Sequence, residues 1–549
     1  MRQVLPLKSF VTPSAAFAII ILSAFATRLL PLAFSQYPFN NDSLYECGLA
    51  SDIILHGRLE YSQGAPWEGT YSIDLPAFGV LLAYVSSALG TTPIDCAQIV
   101  VAAFSMLTVG TVFVLGREFS GTTTGGIIAS MVALLSATFV FTTGSAWRLS
   151  LGFALTALLY FAFIKRDLPR YRLLTLGILC MLVFVHHLAA VVSLIAFAFM
   201  LFWSWTVALS RSNVTRRLWG DTVTALLPIL IAAIYYSVAL EDRQDVYASE
   251  AKIAIFLCIF LTVSVVAFYA MRARMHRNFT LAPLVGAVIG TILILDYYGF
   301  VFPYEASAPP VYIILIISTA LLLTVAWYGT ELIVMRRRRF MTIQLSLILA
   351  PLIVILFGIG TGSQSQSLKF IYRTFDFLQF FIFLGIGVAI ADLGVRRLGA
   401  SRLICIAVTV CLVCSFPFGF FTYELLGVRH DSQAYELDSM YWLSEHAEDP
   451  DIISDERLAH MARSTIWVEK RSTLAHNIML GNMLSPGYFY MAEDSWTVTG
   501  ANDFPDGLAV IDALTMQRII EKCTVVYVGG PTEDRLYVFT SDDYILYSA

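Results

Sequence analysis

Charge is what this sequence has least of. Acidic and basic residues together make up 14% of its 549 residues, and hydrophobic residues make up 58%. Soluble domains carry roughly 25% charged residues, so this chain lies far outside their range. Runs such as 312–334 and 343–360 exceed the roughly 18 apolar residues that mark a membrane helix. The chain is therefore read as a polytopic membrane protein. A basic stripe is also missing, and the net charge is −5, so nothing points to nucleic acid. The eight cysteines have no metal-ligand spacing. Cys411 and Cys414 form a CxxC, but inside an apolar run where two packed thiols are the simpler reading. Cys47 and Cys96 stay open as a pair outside the membrane. The first apolar run, 14–34, is too long for a signal-peptide core and has no small-residue cleavage site, so it reads as an uncleaved first helix. Internal repeats and low-complexity segments are absent.

What is present is an alternation. Basic clusters at Arg2/Lys8, Arg117, 165–172, 211–217, 271–277, 335–340 and 395–402 alternate with connections that are neutral, acidic or weakly basic. That is the positive-inside pattern. It calls for about thirteen crossings, near 14–34, 96–116, 123–143, 147–164, 173–189, 190–209, 222–240, 252–271, 281–297, 309–334, 342–360, 374–394 and 401–421. The N-terminus is then cytoplasmic, residues 1–421 form the membrane domain, and 422–549 lie outside the cell membrane. The run 75–90 must not cross, and it suits a helix lying at the interface.

The segment 35–95 becomes the longest connection of the membrane region, and loops of that size usually carry function. Within it, "SLYECGLASDIILHG" reads as a short helix, with Asp42 or Ser43 as N-cap and Gly57 as the stop. Leu44, Leu49, Ile53 and Ile54 fall roughly on one face. Asp42, Glu46 and Asp52 are then expected in water at the mouth of the bundle. The tail gains charge and strand-like segments at 464–469, 522–530 and 535–542, with helical signals at 432–446 and 507–522. A small C-terminal mixed α/β domain is expected.

Several outer-surface residues have chemistry to offer. A carboxylate at a helix N-terminus, as at Asp42, can take a proton from an acceptor hydroxyl or hold a cation. Glu46 lies one turn later on the same face. Arg148 opens a helix, and Lys369 and Arg373 open a later one with Asp376 a turn beyond; an arginine fork so placed can bind a lipid phosphate. Each also has a plainer reading, as an N-cap, a solvated acid or a snorkelling cation. His186 and His187 sit where a long apolar run must turn back. As neighbours they point in different directions, which does not make a metal site; one can reach the cavity while the other caps the turn.

These residues, in this order, resemble the GT-C membrane glycosyltransferases, most closely the oligosaccharyltransferase catalytic subunits of archaea and bacteria. "NNDSLYECGLASDIILHGRL" is similar to that family's D-x-D-x-Y-Y-x-x-R-L-A stretch, with Asp42 at the second acid, and "YWLSEH" is similar to the opening of its outer domain. The resemblance implies a mostly α GT-C fold, a polyprenyl (dolichyl) phosphate-linked sugar donor, membrane lipid around it, and a protein or glycolipid acceptor arriving from outside. It implies Asp42 as base or acceptor-orienting carboxylate. It places Arg373 on the donor phosphate, and Glu46, Arg148, His186, His187 and Lys369 are the further candidates for substrate contact. The sequence departs from the pattern where Asn40 replaces the first acid, "TTGSAWR" lacks an acid, "GTGSQSQSLKF" lacks a glutamate, and the W-W-D-Y-G motif is missing. The expectation is an inverting, metal-independent glycosyltransferase with no required cofactor, Mg or Mn being the alternative. A divergent N-glycosylating oligosaccharyltransferase is a second reading. A flippase or transporter of lipid-linked saccharides is a third, and would place charges at mid-membrane depth.

Overall fold

The computed structural model describes residues 12–35, 37–40, 42–59, 75–210, 216–239, 256–265, 311–361, 364–396, 398–421, 429, 431–448, 450–466, 470–471, 474–479, 484–503, 507–532 and 534–541. Apolar runs dictate most of what they form, because in hydrocarbon only a helix satisfies its own backbone polar groups. The helices are α1 (Pro13–Arg28), α2 (Asp42–His56), α3 (Ala77–Leu89), α4 (Pro93–Ser120), α5 (Thr123–Leu135) and α6 (Ala137–Gly144). They continue with α7 (Arg148–Ile164), α8 (Pro169–Val185), α9 (His187–Ser210), α10 (Arg216–Ala239) and α11 (Phe256–Val265). The last of the bundle are α12 (Val311–Arg336), α13 (Met341–Thr361), α14 (Gln364–Arg396) and α15 (Leu398–Ser415). Among the described residues seven helices are long and apolar enough to cross a membrane, eight if one bent pair counts as a single span. The expected crossing at 281–297 lies outside the described residues, and that at 252–271 is described only as α11. The run 75–90 forms α3, whose 13 residues reach about 20 Å, short of a roughly 30 Å hydrocarbon core.

One expected crossing is corrected. The run 123–143 is not a single helix: α5 and α6 meet at Ser136 and bend by 70°. Neither proline nor glycine stands at the break, so the cause is tertiary. Ser136 takes an extended conformation, φ −66° and ψ 119°, which leaves carbonyls of the last turn of α5 without helical partners. Arg28, at the end of α1 and fully buried, supplies them. Its Nη1 donates to the Leu134 carbonyl at 2.9 Å, its Nη2 to Ala133 at 3.3 Å, and its Nε to Thr143 Oγ1 at 3.2 Å. Gln379 of α14 ties the other side, accepting from Ser136 Oγ at 3.0 Å and donating to Thr138 Oγ1 at 2.7 Å.

Small residues set the closest helix contacts. A Cβ on Gly329 of α12 would lie 1.8 Å from the Gly385 carbonyl oxygen of α14. Only glycine allows that backbone-to-backbone approach.

From residue 434 onward the chain forms α16 (Ala434–His446), α17 (Glu456–Ile466), α18 (Leu474–Met479), α19 (Ala513–Lys522) and strands. β1 (Ile452–Ile453), β2 (Lys470–Arg471), β3 (Phe489–Glu493), β6 (Thr524–Gly529) and β7 (Leu536–Thr540) make a sheet ordered β2-β1-β3-β7-β6. β1 runs parallel to both neighbours, and β7 is antiparallel to β3 and β6. β4 (Ala501–Asp503) and β5 (Gly507–Ala509) pair separately. The segment expected as a strand at 464–469 instead begins as the end of α17; a strongly apolar stripe through Leu458, Met461 and Ala462 extends that helix into it. Behind the sheet lies a buried ionic knot. Arg457 reaches Glu436 at 2.8 Å and Glu493 at 2.6 Å, and Arg429 reaches Asp534 at 2.6 Å. Burial holds the Glu436 carboxyl well above the usual range, while the two arginines hold Glu493 below it.

Replacing Arg28 by methionine strips donors from two buried carbonyls, each worth about 1–3 kcal/mol when left unpaired. Arg28→Met is expected to unfold several degrees below the wild type in detergent, with Arg28→Lys between the two. An unchanged melting curve for Arg28→Met would remove the residue from this role.

Candidate active site

The chain leaves α1 and turns twice before α2, and that turn is pinned from three sides. Gln98 of α4, fully buried, donates from Nε2 to the carbonyls of Arg28 at 2.6 Å and Gly144 at 2.8 Å. Its Oε1 accepts from the Phe39 amide at 3.1 Å. The Ala146 amide donates to the Phe39 carbonyl at 3.2 Å. Asn40 follows with φ +80°, a left-handed conformation that asparagine tolerates better than most residues. Its Oδ1 accepts the Asp42 amide at 3.1 Å and its Nδ2 donates to Ser145 Oγ at 3.4 Å. Asn40 therefore does the capping expected of Asp42 or Ser43. Asp42 is instead the first helical residue, and Ser43 donates its hydroxyl back to the Phe39 carbonyl at 2.6 Å. An aspartate at position 40 would lose the donor that Ser145 accepts.

α2 stops at Gly57, in the left-handed region at φ +68°. Its first two turns are buried on every side from Ser43 to Cys47. Leu44 enters the core of the C-terminal layer, while Cys47 and Ala50 enter that of the membrane bundle. Tyr45 meets His460 of α17 edge-on, ring centroids 5.0 Å apart. The helix is thus clamped between bundle and tail, and only Ile54 of the expected apolar face stays exposed. Cys47 and Cys96 are both buried and both free; Cys96 Sγ lies 3.0 Å from Ser86 Oγ.

The acids are not equally wet. Asp42 is half-buried, and among the described residues no hydrogen bond or ion pair reaches its carboxylate. Glu46 is 1% exposed, against the expectation of a solvated acid. Its Oε1 lies 3.1 Å from Nε of Arg148, the first residue of α7, and its Oε2 is buried without a partner. Burial pushes the Glu46 carboxyl up to about 7; Arg148 draws it back and Asp42 adds to the rise. Asp52 is tied to His56 within α2 at 3.0 Å.

The remaining groups gather around this pair. His186, buried, ends α8 and accepts the Ala189 amide on Nδ1 at 3.3 Å. The His187 ring stacks on it, centroids 4.9 Å apart and planes at 13°. The two rings therefore do not point apart as expected; the extended backbone at His186 lets them stack. Both Arg148 and Arg373 act electrostatically on His186, and Arg373 on Asp376. Asp376 accepts from Thr142 Oγ1 at 2.9 Å, which joins α14 to the bent half-helix α6. The side chain of Lys369 lies outside the described residues. Arg148 thus links Glu46 to His186, His187 and Arg373, and Asp42 joins them through its action on Glu46. Thr142, Ser145, Gln98 and Arg28 were invisible to the sequence reading; short polar residues inside an apolar run were the signal they offered.

This donor set does not suit a resident divalent metal. Among the described residues no three His, Cys, Asp or Glu side chains gather. Glu46 is committed to Arg148, and an amide stands at position 40.

No protein-family model matches the chain, and no curated protein matches it by sequence. Solved structures match it by fold. The oligosaccharyltransferase AglB from Archaeoglobus fulgidus, in complex with an inhibitory peptide and a dolichol-phosphate, aligns at TM-score 0.50 and 12% identity, over 83% of this chain and 64% of that one. The apo form of the A. fulgidus oligosaccharyltransferase aligns at 0.51 and 12%, over 88% and 69%. The mycobacterial arabinofuranosyltransferase AftD covers 97% of this chain and 40% of its own at 0.47 and 13%, too weak a likeness to argue from. The chain spans about two thirds of the oligosaccharyltransferase it matches.

Removing Arg148 takes the ion-pair partner from the buried Glu46 carboxylate, at about 3–5 kcal/mol. Arg148→Met is expected to lower the melting temperature strongly, and Glu46→Leu with Arg148→Met to recover much of the loss. Additive losses in the double variant would show that the two side chains do not act as a pair.

Proposed function

We propose that this chain, which has the fold of the GT-C membrane glycosyltransferases, transfers a sugar or glycan from a polyprenyl phosphate-linked donor to an acceptor on the outer face of the membrane. The observation that carries the reading is one carboxylate, Asp42, without a partner among the described residues at a helix N-terminus, one turn from Glu46, whose partner Arg148 acts together with Arg373 on His186. Asp42 takes the proton of the acceptor hydroxyl as that oxygen bonds to the anomeric carbon. The bond from that carbon to the phosphate oxygen breaks on the opposite side, with inversion, and polyprenyl phosphate leaves with the electron pair. Arg373 and Arg148 supply positive charge where the phosphate charge develops. The Asn40 and Gln98 hydrogen bonds hold Asp42 in place, which is how positioning lowers the barrier. The leaving group is already good, so the reaction proceeds with protein groups alone.

Thirteen crossings, a cytoplasmic N-terminus and an extracytoplasmic tail belong to the same proposal, because they put this neighbourhood on the outer face. A divergent oligosaccharyltransferase is the second reading, favoured by the two A. fulgidus alignments. For that reading the acceptor is a peptide amide rather than a hydroxyl.

Purified protein is to be assayed for transfer of labelled sugar from a polyprenyl-phosphate donor to glycolipid and to peptide acceptors. Asp42→Asn is expected to lower kcat by about 10²–10⁴-fold, and Arg373→Ala to weaken use of the donor. A chelator is expected to leave the rate unchanged. Full activity in Asp42→Asn would sink the mechanism, and loss of activity with chelator would restore a metal to it.

A further inference from the structure

We propose a second binding site, at the end of the bundle opposite Asp42, that takes a phosphate group. A cavity of about 660 Å³ opens there between the α4–α5 turn, the end of α12 and the end of α14. Asp392 on its wall lies about 24 Å along α14 from Asp376, at 1.5 Å per residue. That is most of the roughly 30 Å hydrocarbon thickness. The site therefore belongs to neither the candidate active site nor its face of the membrane.

Three guanidinium groups line this cavity, on Arg336, Arg337 and Arg339, against one carboxylate, Asp392. Asp392 is taken by Arg336, Oδ1 to Nη1 at 2.5 Å. Among the described residues no carboxylate lies within ion-pair distance of Arg337 or Arg339, so the cavity holds about two positive charges in excess. The guanidinium of Arg337 is packed over the α4–α5 turn: a Cβ on Gly121 would fall 2.6 Å from both its Nη1 and its Nη2. Gly121 has φ +69°, so the turn itself needs glycine, and its bare face leaves the room that Arg337 occupies. Ser120 and Thr122 of the same turn also line the cavity.

A general inward bias of basic residues explains why arginines stand at this end. It does not explain why they ring a cavity rather than spread outward to headgroups. A planar guanidinium fork matches phosphate oxygens two at a time. Leu332, Val388, Ala391 and Val395 make up the apolar part of the lining, and Val395 is 81% exposed. That pairing of basic and apolar lining between membrane helices suits the phosphate of an anionic lipid whose chains lie along the bundle. A soluble phosphate compound is the other source of the same chemistry.

The test uses full-length protein in phosphatidylcholine nanodiscs, alone, doped with phosphatidic acid, or supplied with inorganic phosphate. Thermal unfolding and bound-lipid analysis are the readouts. Phosphatidic acid is expected to raise the melting temperature and to co-purify. Arg337→Gln with Arg339→Gln is expected to bind it at least tenfold more weakly. Gly121→Ala, which pushes the Arg337 guanidinium out of place, provides a second variant should the first fold poorly. A gain from inorganic phosphate that the variants lose supports the site and assigns it to soluble phosphate. Equal response of wild type and both variants to every probe overturns the proposal.

Discussion

A buried polar junction at the end of the first helix holds the candidate site in place. Arg28 and Gln98, both without solvent exposure, join the end of α1, the middle of the α4 start, the bend between α5 and α6, and the turn before α2. A guanidinium with no carboxylate beside it is costly in an apolar interior. Here that cost is offset because the bent helix exposes carbonyl groups that nothing else can reach. Each defect satisfies the other: the break in the helix needs donors, and the buried arginine needs acceptors. The consequence reaches the candidate site, since the same junction fixes Phe39 and Asn40 and so the direction in which Asp42 leaves the turn.

Electrostatics then separates two acids that stand one turn apart. Glu46 is enclosed and spends its charge on Arg148, while Asp42 keeps its carboxylate half-exposed with no partner among the described residues. Environment rather than residue type encloses one and leaves the other open to solvent. The clamp on α2 from both sides matters here. Leu44 in the tail's core and Cys47 in the bundle's core mean that the helix cannot rotate without breaking two packed interfaces.

The fold match at 11–12% identity to the A. fulgidus oligosaccharyltransferase, with no match by sequence, has a physical basis. Membrane helices are specified by apolar runs that many residues can supply, and hydrophobic patterning survives nearly complete exchange of side chains. Chemistry is less forgiving. Asn40 at the place of a family acid is accommodated because an amide both accepts from Asp42 and donates to Ser145.

Apolar run length by itself determined the helical architecture, because hydrocarbon leaves the backbone no alternative. The bounds of α7 and α13 fall close to their runs, α14 starts ten residues ahead of its own, and the turn at His186 falls where a polar pair interrupts one. The order of Asp42, Arg148 and Arg373 along the chain was also legible, as ionisable residues at helix ends. Three things were not. The break at Ser136 has no local breaker and depends on Arg28 and Gln379, which lie over a hundred residues away in the chain. The burial of Glu46 depends on the elements packed around α2, which are α3, α4 and α17, with Arg148 of α7 as its ion-pair partner. Residues 464–466 of the strand expected at 464–469 end a helix instead, because Leu458, Met461 and Ala462 pack that helix into the core of the tail. Local pattern sets what each segment can become; contacts distant in sequence decide which buried polar groups find partners, and so which carboxylate remains for chemistry.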